Sequence, residues 1–344
     1  MTLSSLQRNR HLLPVLVGVM ALALFMLPPL FLSTFMVRVF LISLLSTGLA
    51  VSWNILGGFA GYWSFGHTLY VGVGAFTAGK LVPLLGPNLG GIEVLTFSIV
   101  AGGLVSGMLA LVLAYPLLRL RGIYFAIAML GVAELTGEIS SSFDAIGGAM
   151  GLTLPIVVPE NMNPAVFYYY LFLALNAIIL VIAAFIKYSR FGYGLASIRE
   201  DEDSAKMLGV PTERYKIIAS VISCALVGIS GVLYGFYLGY FTTTSVFRVD
   251  FSLNMILHTL IGGIGTLFGP ILGAWIMVFL TQFVLGKLLE IHILITGLLV
   301  IIIVLLAPSG IIGAAKAWLE KRQTAEEGIS KGEESETDLY LNQV

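Results

Sequence analysis

Long runs of apolar residues recur along almost the whole chain, and they decide what it can fold into. A helix needs about 20 apolar residues to cross a bilayer, and the chain offers roughly ten stretches of that length. The boundary near Gly269-Pro270 is the hardest to set, and one stretch is a candidate for a re-entrant or broken helix. The predicted spans are approximately 12–32, 36–56, 64–85, 92–115, 121–142, 165–187, 216–240, 252–268, 269–287 and 289–307.

The chain has too few polar side chains for a soluble fold. Hydrophobic residues make up 58% of the 344 residues and charged residues only 11%, too few to cover a soluble core of this size. We therefore predict an all-α polytopic membrane protein with about ten transmembrane helices. Residues 1–11 form a cytoplasmic N-terminus and residues 12–312 the membrane domain. Residues 313–344 form an acidic cytoplasmic tail that we expect to be disordered.

The placement of basic residues predicts the orientation. With the N-terminus inside, fourteen of the 18 Lys and Arg residues fall on the cytoplasmic side. The four exceptions are Arg38, Lys80, Arg248 and Lys287. Both termini and the charged segment around residues 187–216 are therefore expected in the cytoplasm.

The sequence contains no motif that indicates a catalytic site, a metal site or a nucleic-acid-binding site. The segment Gly74–Leu81 has the glycine spacing of a phosphate-binding loop, but Leu81 stands where a Ser or Thr would hold magnesium. Cys224 is the only cysteine, and the four histidines do not form ligand-spaced pairs. No basic patch is interleaved with aromatic residues, so we expect no nucleic-acid partner. We predict a transport protein that binds no cofactor of its own.

One long charged segment interrupts the apolar runs. Residues 187–216 carry six basic and five acidic residues between the sixth and seventh predicted spans. We predict that residues 188–215 form a structured cytoplasmic loop that meets a soluble partner. Ser197 to Leu208 is expected to form one short helix that ends at Gly209.

Polar and glycine residues within the spans are candidates for a substrate path. A carboxylate facing lipid is costly, so we expect Glu134 to line a water-accessible route or to pair with His67 or Asn54. The alternative is that Glu134 reaches the outer headgroups. Gly231, Gly235 and Gly239 form one small-residue series, and Gly265, Gly269 and Gly273 form another, both typical of close helix packing. The segment GGIGTLFGP at 262–270 favours local unwinding, because proline and glycine both weaken a helix. The pathway candidates are Asn54, Ser64, His67, Glu134, Gly262, Gly263 and Gly265.

Four segments carry a resemblance to a known family. They are GYWSFGHTLYVGVGAFTAG (61–79), LRLRGIYFAIAMLGVAEL (118–135), GYGLASIREDEDSAKMLGV (192–210) and GGIGTLFGPILGA (262–274). Together they resemble the permease subunits of branched-chain amino-acid ABC importers of the LivH/LivM type, and the second segment favours the LivM branch. The third resembles the loop that couples such permeases to their ATPases. That loop usually reads Glu-Ala-Ala, three residues, then Gly, whereas here Asp203, Ser204 and Ala205 precede Gly209, which departs at the first two positions.

The resemblance implies a bacterial or archaeal plasma (inner) membrane location and a set of partners. These are a second permease chain that forms a heterodimer with this one, two ABC ATPases that use ATP and magnesium, a periplasmic or lipid-anchored binding protein, and membrane lipid. The coupling residues that it implies are Gly194, Ser197, Arg199, Glu200, Asp203, Ser204, Ala205 and Gly209.

Two questions stay open at this point. Related systems move branched-chain amino acids, but also urea and short amides, and a self-sufficient secondary transporter or channel is a further alternative. No arginine in the spans is an obvious ligand for a carboxylate, so we expect an apolar, glycine-lined path that does not grip a zwitterion. Substrate choice is then expected to lie with the binding protein.

Overall fold

The computed structural model describes residues 27–86, 89–143, 148, 150–160, 162–284, 297 and 310–313. Within these residues the chain is mostly helical, and one two-stranded antiparallel pair is described. The elements are α1 (Pro28–Phe31), α2 (Thr34–Asn54), α3 (Thr68–Leu85), α4 (Gly91–Leu117), α5 (Ile123–Ser142), β1 (Leu152–Thr153), α6 (Pro164–Lys187), α7 (Arg190–Glu200), α8 (Glu202–Met207), α9 (Thr212–Leu238), β2 (Tyr240–Phe241), α10 (Thr243–Val246), α11 (Val249–Gly262) and α12 (Gly269–Phe279). Short π-helical turns follow α2 (Ile55–Phe59) and α12 (Leu280–Val284).

Six of the helices in the described part of the chain are long and apolar enough to cross a membrane. They are α2 with its π-helical turn, α3, α4, α5, α6 and α9, and they match the predicted spans from 36–56 to 165–187 and 216–240. The chain is therefore a multi-pass membrane protein.

The count of about ten spans is not confirmed. The stretches predicted at 252–268 and 269–287 are the shorter helices α11 and α12, of 14 and 11 residues. At 1.5 Å per residue α11 is about 21 Å long and the described part of α12 with its π-helical turn is about 24 Å long, both less than the roughly 30 Å of a bilayer core. Non-helical residues 263–268 separate them. The span at 289–307, most of the span at 12–32 and nearly all of both termini lie outside the described residues.

The charged loop also differs from its prediction. It contains two helices, α7 and α8, instead of one helix over Ser197–Leu208. Asp201 breaks the helix because its backbone is extended, with φ −158° and ψ 115°. Its carboxylate accepts a hydrogen bond from the Ser204 amide at 2.6 Å, so Asp201 ends one helix and caps the next.

Helix α9 lies at the centre of the packing. It contacts α2, α3, α4 and α6, while α2 packs on its other side against α6, α11 and α12. The antiparallel pair joins Leu152 to Phe241 and Thr153 to Tyr240 next to the C-terminal end of α9. The core therefore forms around two long helices that are covered on most sides by others.

Small residues let α9 approach its neighbours closely. A Cβ atom added at Gly231 would lie 2.2 Å from the carbonyl oxygen of Val71, and one at Gly74 would lie 2.0 Å from that of Gly228. Such contacts replace the hydrophobic drive between helices in lipid. Of the predicted glycine series, Gly231 and Gly235 face α3, whereas Gly239 follows the last residue of α9 with a positive φ of 71°.

We expect the Gly74→Ala variant to lose about 1–3 kcal/mol of stability, because its methyl group would overlap the α9 backbone. Thermal unfolding in detergent measures the loss. The matched control is Gly131→Ala on α5, where no described heavy atom lies within 4 Å of the added carbon. That change should leave stability equal or slightly higher. Equal melting temperatures for wild type and Gly74→Ala would contradict the close packing of α3 on α9.

Candidate functional site

Local hydrogen bonds determine where α7 starts and where α8 ends. Helix α7 starts after Ser189, whose hydroxyl accepts a hydrogen bond from the Gly192 amide at 3.2 Å. Helix α8 ends in a glycine cap, in which the Val210 amide donates to the Ala205 carbonyl at 3.1 Å and the Gly209 amide to the Lys206 carbonyl at 3.0 Å. Gly209 has a φ of 86°, a conformation that favours glycine.

The predicted coupling residues divide into buried and exposed sets. Gly194 is buried where a Cβ atom would lie 2.3 Å from the ring of Tyr215, so it lets α7 lie directly on α9. The Ser197 hydroxyl donates to the Gly194 carbonyl at 2.8 Å, and Ala205 is only 2% exposed. The residues on the exposed face are Arg199, Glu200, Asp203, Ser204 and Gly209.

Glu202 is the polar centre that fastens α8 to the membrane domain. Its carboxylate accepts hydrogen bonds from the ammonium group of Lys216 and from the hydroxyl of Tyr62. Lys216, which is 3% exposed, also donates to the Tyr62 hydroxyl at 2.9 Å and to the carbonyl of Leu118 at 3.1 Å. One buried lysine therefore joins α8, the α2–α3 connection, the end of α4 and the start of α9.

A second ion pair lies beside this centre at the surface. Arg121 donates two parallel hydrogen bonds to Asp203, both of 2.9 Å, and its Nε atom lies 3.6 Å from Glu202. The paired geometry holds the plane of the guanidinium group and lowers the pKa of Asp203 below its usual range. The α4–α5 connection is thus attached to the first turn of α8.

Burial and pairing act against each other on Glu202. Burial alone would raise the pKa of its carboxyl group, but the hydrogen bonds from Lys216 and Tyr62 and the nearby cations outweigh burial. The pKa of Glu202 is therefore below its ordinary value, and the group is a carboxylate at neutral pH. The pKa of Tyr62 is raised by burial and by its bond to Glu202.

The charged loop and the glycine-rich segment meet at a second contact region, which we call the glycine turn (residues 263–268). Arg199 of α7 donates from Nη1 to the carbonyl of Gly58 at 3.0 Å, and Lys187 donates to the carbonyl of Gly265 at 3.1 Å. Asn54 donates to the carbonyl of Thr266 at 2.8 Å and accepts from the amide of Gly265 at 3.0 Å. The turn is therefore held by side chains of α2 and α6, and Arg199 of α7 holds the π-helical turn beside it.

Glycine is required at this turn for two separate reasons. Gly263 and Gly265 have positive φ values of 128° and 73°. A Cβ atom at Gly265 would also lie 2.1 Å from Nη1 of Arg199, and one at Gly262 would lie 1.7 Å from the carbonyl oxygen of Gly269. The predicted local unwinding at 262–270 is present in the structure. Gly265 and Arg199, predicted from separate segments, are brought together.

Ser64 and His67 lie in the connection between α2 and α3, and both are fully buried. The carbonyl of Ser64 accepts a hydrogen bond from Nε1 of Trp53 at 2.8 Å. Nε2 of His67 lies 2.9 Å from the hydroxyl of Ser223, which donates to the carbonyl of Ser52 at 2.6 Å. These hydrogen bonds hold the α2–α3 connection inside the protein.

Glu134 lies on the exposed face of α5. The structure does not bring it together with His67 or Asn54, whose polar groups bond to Ser223 and to the glycine turn. Its role in a water-accessible route stays a prediction.

Sequence reasoning missed Tyr62, Glu202 and Lys216 as site residues. Lys216 was counted only as one of the loop cations, and Tyr62 as one aromatic of a motif. One signal was available, since Lys216 lies within a predicted apolar span, where an ammonium group needs a partner.

The comparisons with known proteins agree with this architecture. Residues 31–306 match the family described as the permease component of the branched-chain amino acid transport system. A high-affinity branched-chain amino acid permease protein LivM of Salmonella typhimurium is 26% identical over 315 residues, covering 83% of this chain and 71% of that protein. A probable LivM of Methanocaldococcus jannaschii is 24% identical, covering 76% and 89%. A LivH of Salmonella typhimurium is 23% identical, covering 77% and 90%. No solved structure matches the chain.

For the buried ion pair, we expect Lys216→Met to lower the free energy of unfolding by about 3–5 kcal/mol, because the carboxylate of Glu202 loses its main partner. Denaturant or thermal unfolding in detergent measures the change. The control is Lys206→Met on the exposed face of α8, which should stay within about 0.5 kcal/mol of wild type. Equal losses in the two variants would contradict the central role of Lys216.

A pH dependence follows from the lowered pKa of Glu202. A carboxyl group with a lowered pKa in the folded state stabilises the protein above its unfolded pKa, and this stabilisation is lost as the pH falls through the folded value. We therefore expect wild type to lose stability on acidification below about pH 4.3, and Glu202→Gln to lack that part of the loss. Melting temperatures between neutral and acid pH test this. Glu200→Gln, a change at an exposed residue of the same loop, should keep the wild-type profile.

Proposed function

This chain belongs to the family of permease components of the branched-chain amino acid transport system, and from that premise we propose that it forms part of the translocation path of an ATP-driven importer. Its substrates are branched-chain amino acids. It works with a second permease chain, and α7 and α8 couple it to an ATPase. The hydrolysis of ATP, with magnesium, takes place in partner chains.

The observation that carries the proposal is that α8 is bound to the membrane domain on one side and exposes an apolar tip on the other. Its inner side is held by Glu202 and by the buried Ala205, whereas Met207 and Leu208 at its tip are 82% and 84% exposed. An exposed apolar pair at the tip of a fixed, charged helix suits insertion into a groove of a soluble protein. This arrangement supports a docking role for α8.

The contacts behind α8 supply a route for the coupling. Movement of α8 acts directly on Lys216 and Tyr62 through Glu202, and on the α4–α5 connection through Arg121 and Asp203. Movement of α7 acts through Arg199 on the π-helical turn after α2, beside the glycine turn. A push on the loop therefore reaches the α2–α3 connection, the α4–α5 connection and the π-helical turn beside the glycine turn.

The second permease chain is supported by the two kinds of relative, since proteins named LivM and LivH both match this chain. The exposed apolar residues of α4 and α5 offer surfaces for it or for lipid. We propose that two ABC ATPases bind below and that a periplasmic or lipid-anchored binding protein delivers the substrate. The chain lies in the plasma (inner) membrane with α7, α8 and both termini in the cytoplasm.

The alternatives weighed from the sequence are less well supported. The relatives' names refer to branched-chain amino acids, not to urea or short amides. A self-sufficient transporter leaves the exposed tip of α8 without a purpose. Uptake of labelled leucine, valine, alanine and urea by the reconstituted complex discriminates among these, and uptake that continues without ATP would contradict the proposal.

The structure changes which residues should be tested for docking. Ala205 is buried within this chain, so a large residue there would disturb internal packing as well as any interface. We expect Met207→Asp and Leu208→Asp to weaken co-purification of the ATPase and to reduce uptake by at least about tenfold, because a charge replaces buried apolar surface at the interface.

The control for docking is Met150→Asp. Met150 is 89% exposed in the loop before β1, near the opposite end of α9 from α8. It should leave the ATPase bound, as co-purification measures. If the ATPase stays bound and coupled in both α8 variants, α8 is not the docking element.

A further inference from the structure

Two adjoining cavities lie between α2, α9, α11 and α12, apart from the contacts described above. Their volumes are about 360 and 610 Å³, within the range of small-ligand sites. They share lining residues from α2 and α11, namely Ile42, Ser46, Asn254 and His258. The predicted pathway residues Asn54, Ser64 and His67 line neither cavity.

The larger cavity is also lined by Arg248 and Asp250. The Thr68 hydroxyl donates to the carbonyl of Arg248 at 2.6 Å, so Arg248 is fixed at the start of α3. The neighbouring His67 contacts Ser223, which lies eleven residues after the start of α9 at Thr212. At 1.5 Å per residue Ser223 is about 16 Å from the start of α9, so the backbone of Arg248 lies inside the membrane domain, and the smaller cavity extends along α9 to Tyr234 and Leu238.

Charges at this depth cannot face hydrocarbon without a large cost. Yet the side chains of Arg248 and Asp250 are 60% and 58% exposed in this chain. They pair with each other, and both described hydrogen bonds end on Oδ2 of Asp250. Nη1 of Arg248 and Oδ1 of Asp250 have no hydrogen bond among the described residues. The pair therefore offers one free donor edge and one free acceptor atom toward the cavity.

The rest of the cavity lining suits an aliphatic side chain. Ile42, Leu253, Leu257, Met277 and Val278 contribute apolar surface beside the charged pair. His258 lines both cavities and is 5% exposed, and its Nδ1 atom is buried without a described hydrogen-bond partner. The cavity thus combines a neutral ion pair, an apolar wall and an unpartnered buried polar atom.

We propose that this cavity is a transit site for a zwitterionic aliphatic amino acid, in which Arg248 receives the carboxylate and Asp250 the ammonium group. The inference rests on the proposed function and adds the location and chemistry of the site. When the substrate binds, Arg248 and Asp250 exchange their bonds to each other for bonds to the oppositely charged groups of the substrate. The net charge of the site is therefore zero both when it is empty and when it is filled. This differs from the expectation that no arginine is available to a carboxylate.

Transport by the reconstituted complex tests the ligand chemistry. Arg248→Gln and Asp250→Asn should each lower leucine uptake by about ten- to a hundredfold, the loss expected for one charge-assisted hydrogen bond. Stimulation of the ATPase by the binding protein should persist. Leu257→Trp should reduce leucine uptake more than alanine uptake, because the larger side chain narrows the cavity beside its apolar lining. The control is Arg38→Gln, an exposed arginine of α2 that lines neither cavity.

A chemical test examines the water-filled space independently of transport. In a Cys224→Ala background, the Leu253→Cys variant should react with a charged thiol reagent in opened membranes. The Ile178→Cys variant should not, because Ile178 is exposed on the outer face of α6, where lipid is expected.

The outcomes separate the two proposals. Wild-type uptake in both charge variants, or an unreactive Leu253→Cys variant, overturns the transit site and leaves the proposed importer standing. A wild-type complex that takes up no aliphatic amino acid overturns the proposed function and the ligand assigned here. Reactive Leu253→Cys together with selective loss of uptake in the charge variants supports the site.

Discussion

Every backbone N–H and C=O group within a bilayer must find a partner inside the protein, and the architecture of this chain depends on that constraint. Helices satisfy it by themselves, whereas the connection between α2 and α3 and the glycine turn do not. Side chains complete these two segments: Trp53 bonds to Ser64, Asn54 to Thr266 and Gly265, and Arg199 to Gly58. The polar residues within the spans are therefore explained first by the irregular backbone that they support.

The sequence predicts the long helices well because their signal is local. A continuous apolar run sets both the length and the environment of α2 to α6 and of α9. The same signal does not separate the elements at 252–284, where apolar residues continue through two shorter helices and the turn between them. The break at Asp201 was also missed, since its extended backbone is stabilised by its own capping bond to Ser204 inside a charged segment that otherwise favours a helix.

The candidate site divides in the same way. The glycine turn could be predicted from the cluster of glycines with Pro270, and Arg199 from the resemblance of its segment. The bonds of Lys216 to Tyr62 and Leu118 could not, because they join residues 154 and 98 positions apart. Arg248 shows a further limit of prediction from sequence. The distribution of basic residues identified Arg248 only as an exception to the cytoplasmic placement. Its place within the membrane domain follows from the hydrogen bond that Thr68 donates to its carbonyl.

Asn54 places a donor and an acceptor of one small, rigid amide on two neighbouring backbone groups of the glycine turn. The amide cannot rotate to keep one bond without straining the other, so the two bonds form and break together. The two bonds therefore fix both the distance and the orientation of the turn relative to α2. A single neutral side chain thus sets the register between a helix and a non-helical segment more than 200 residues further along the chain.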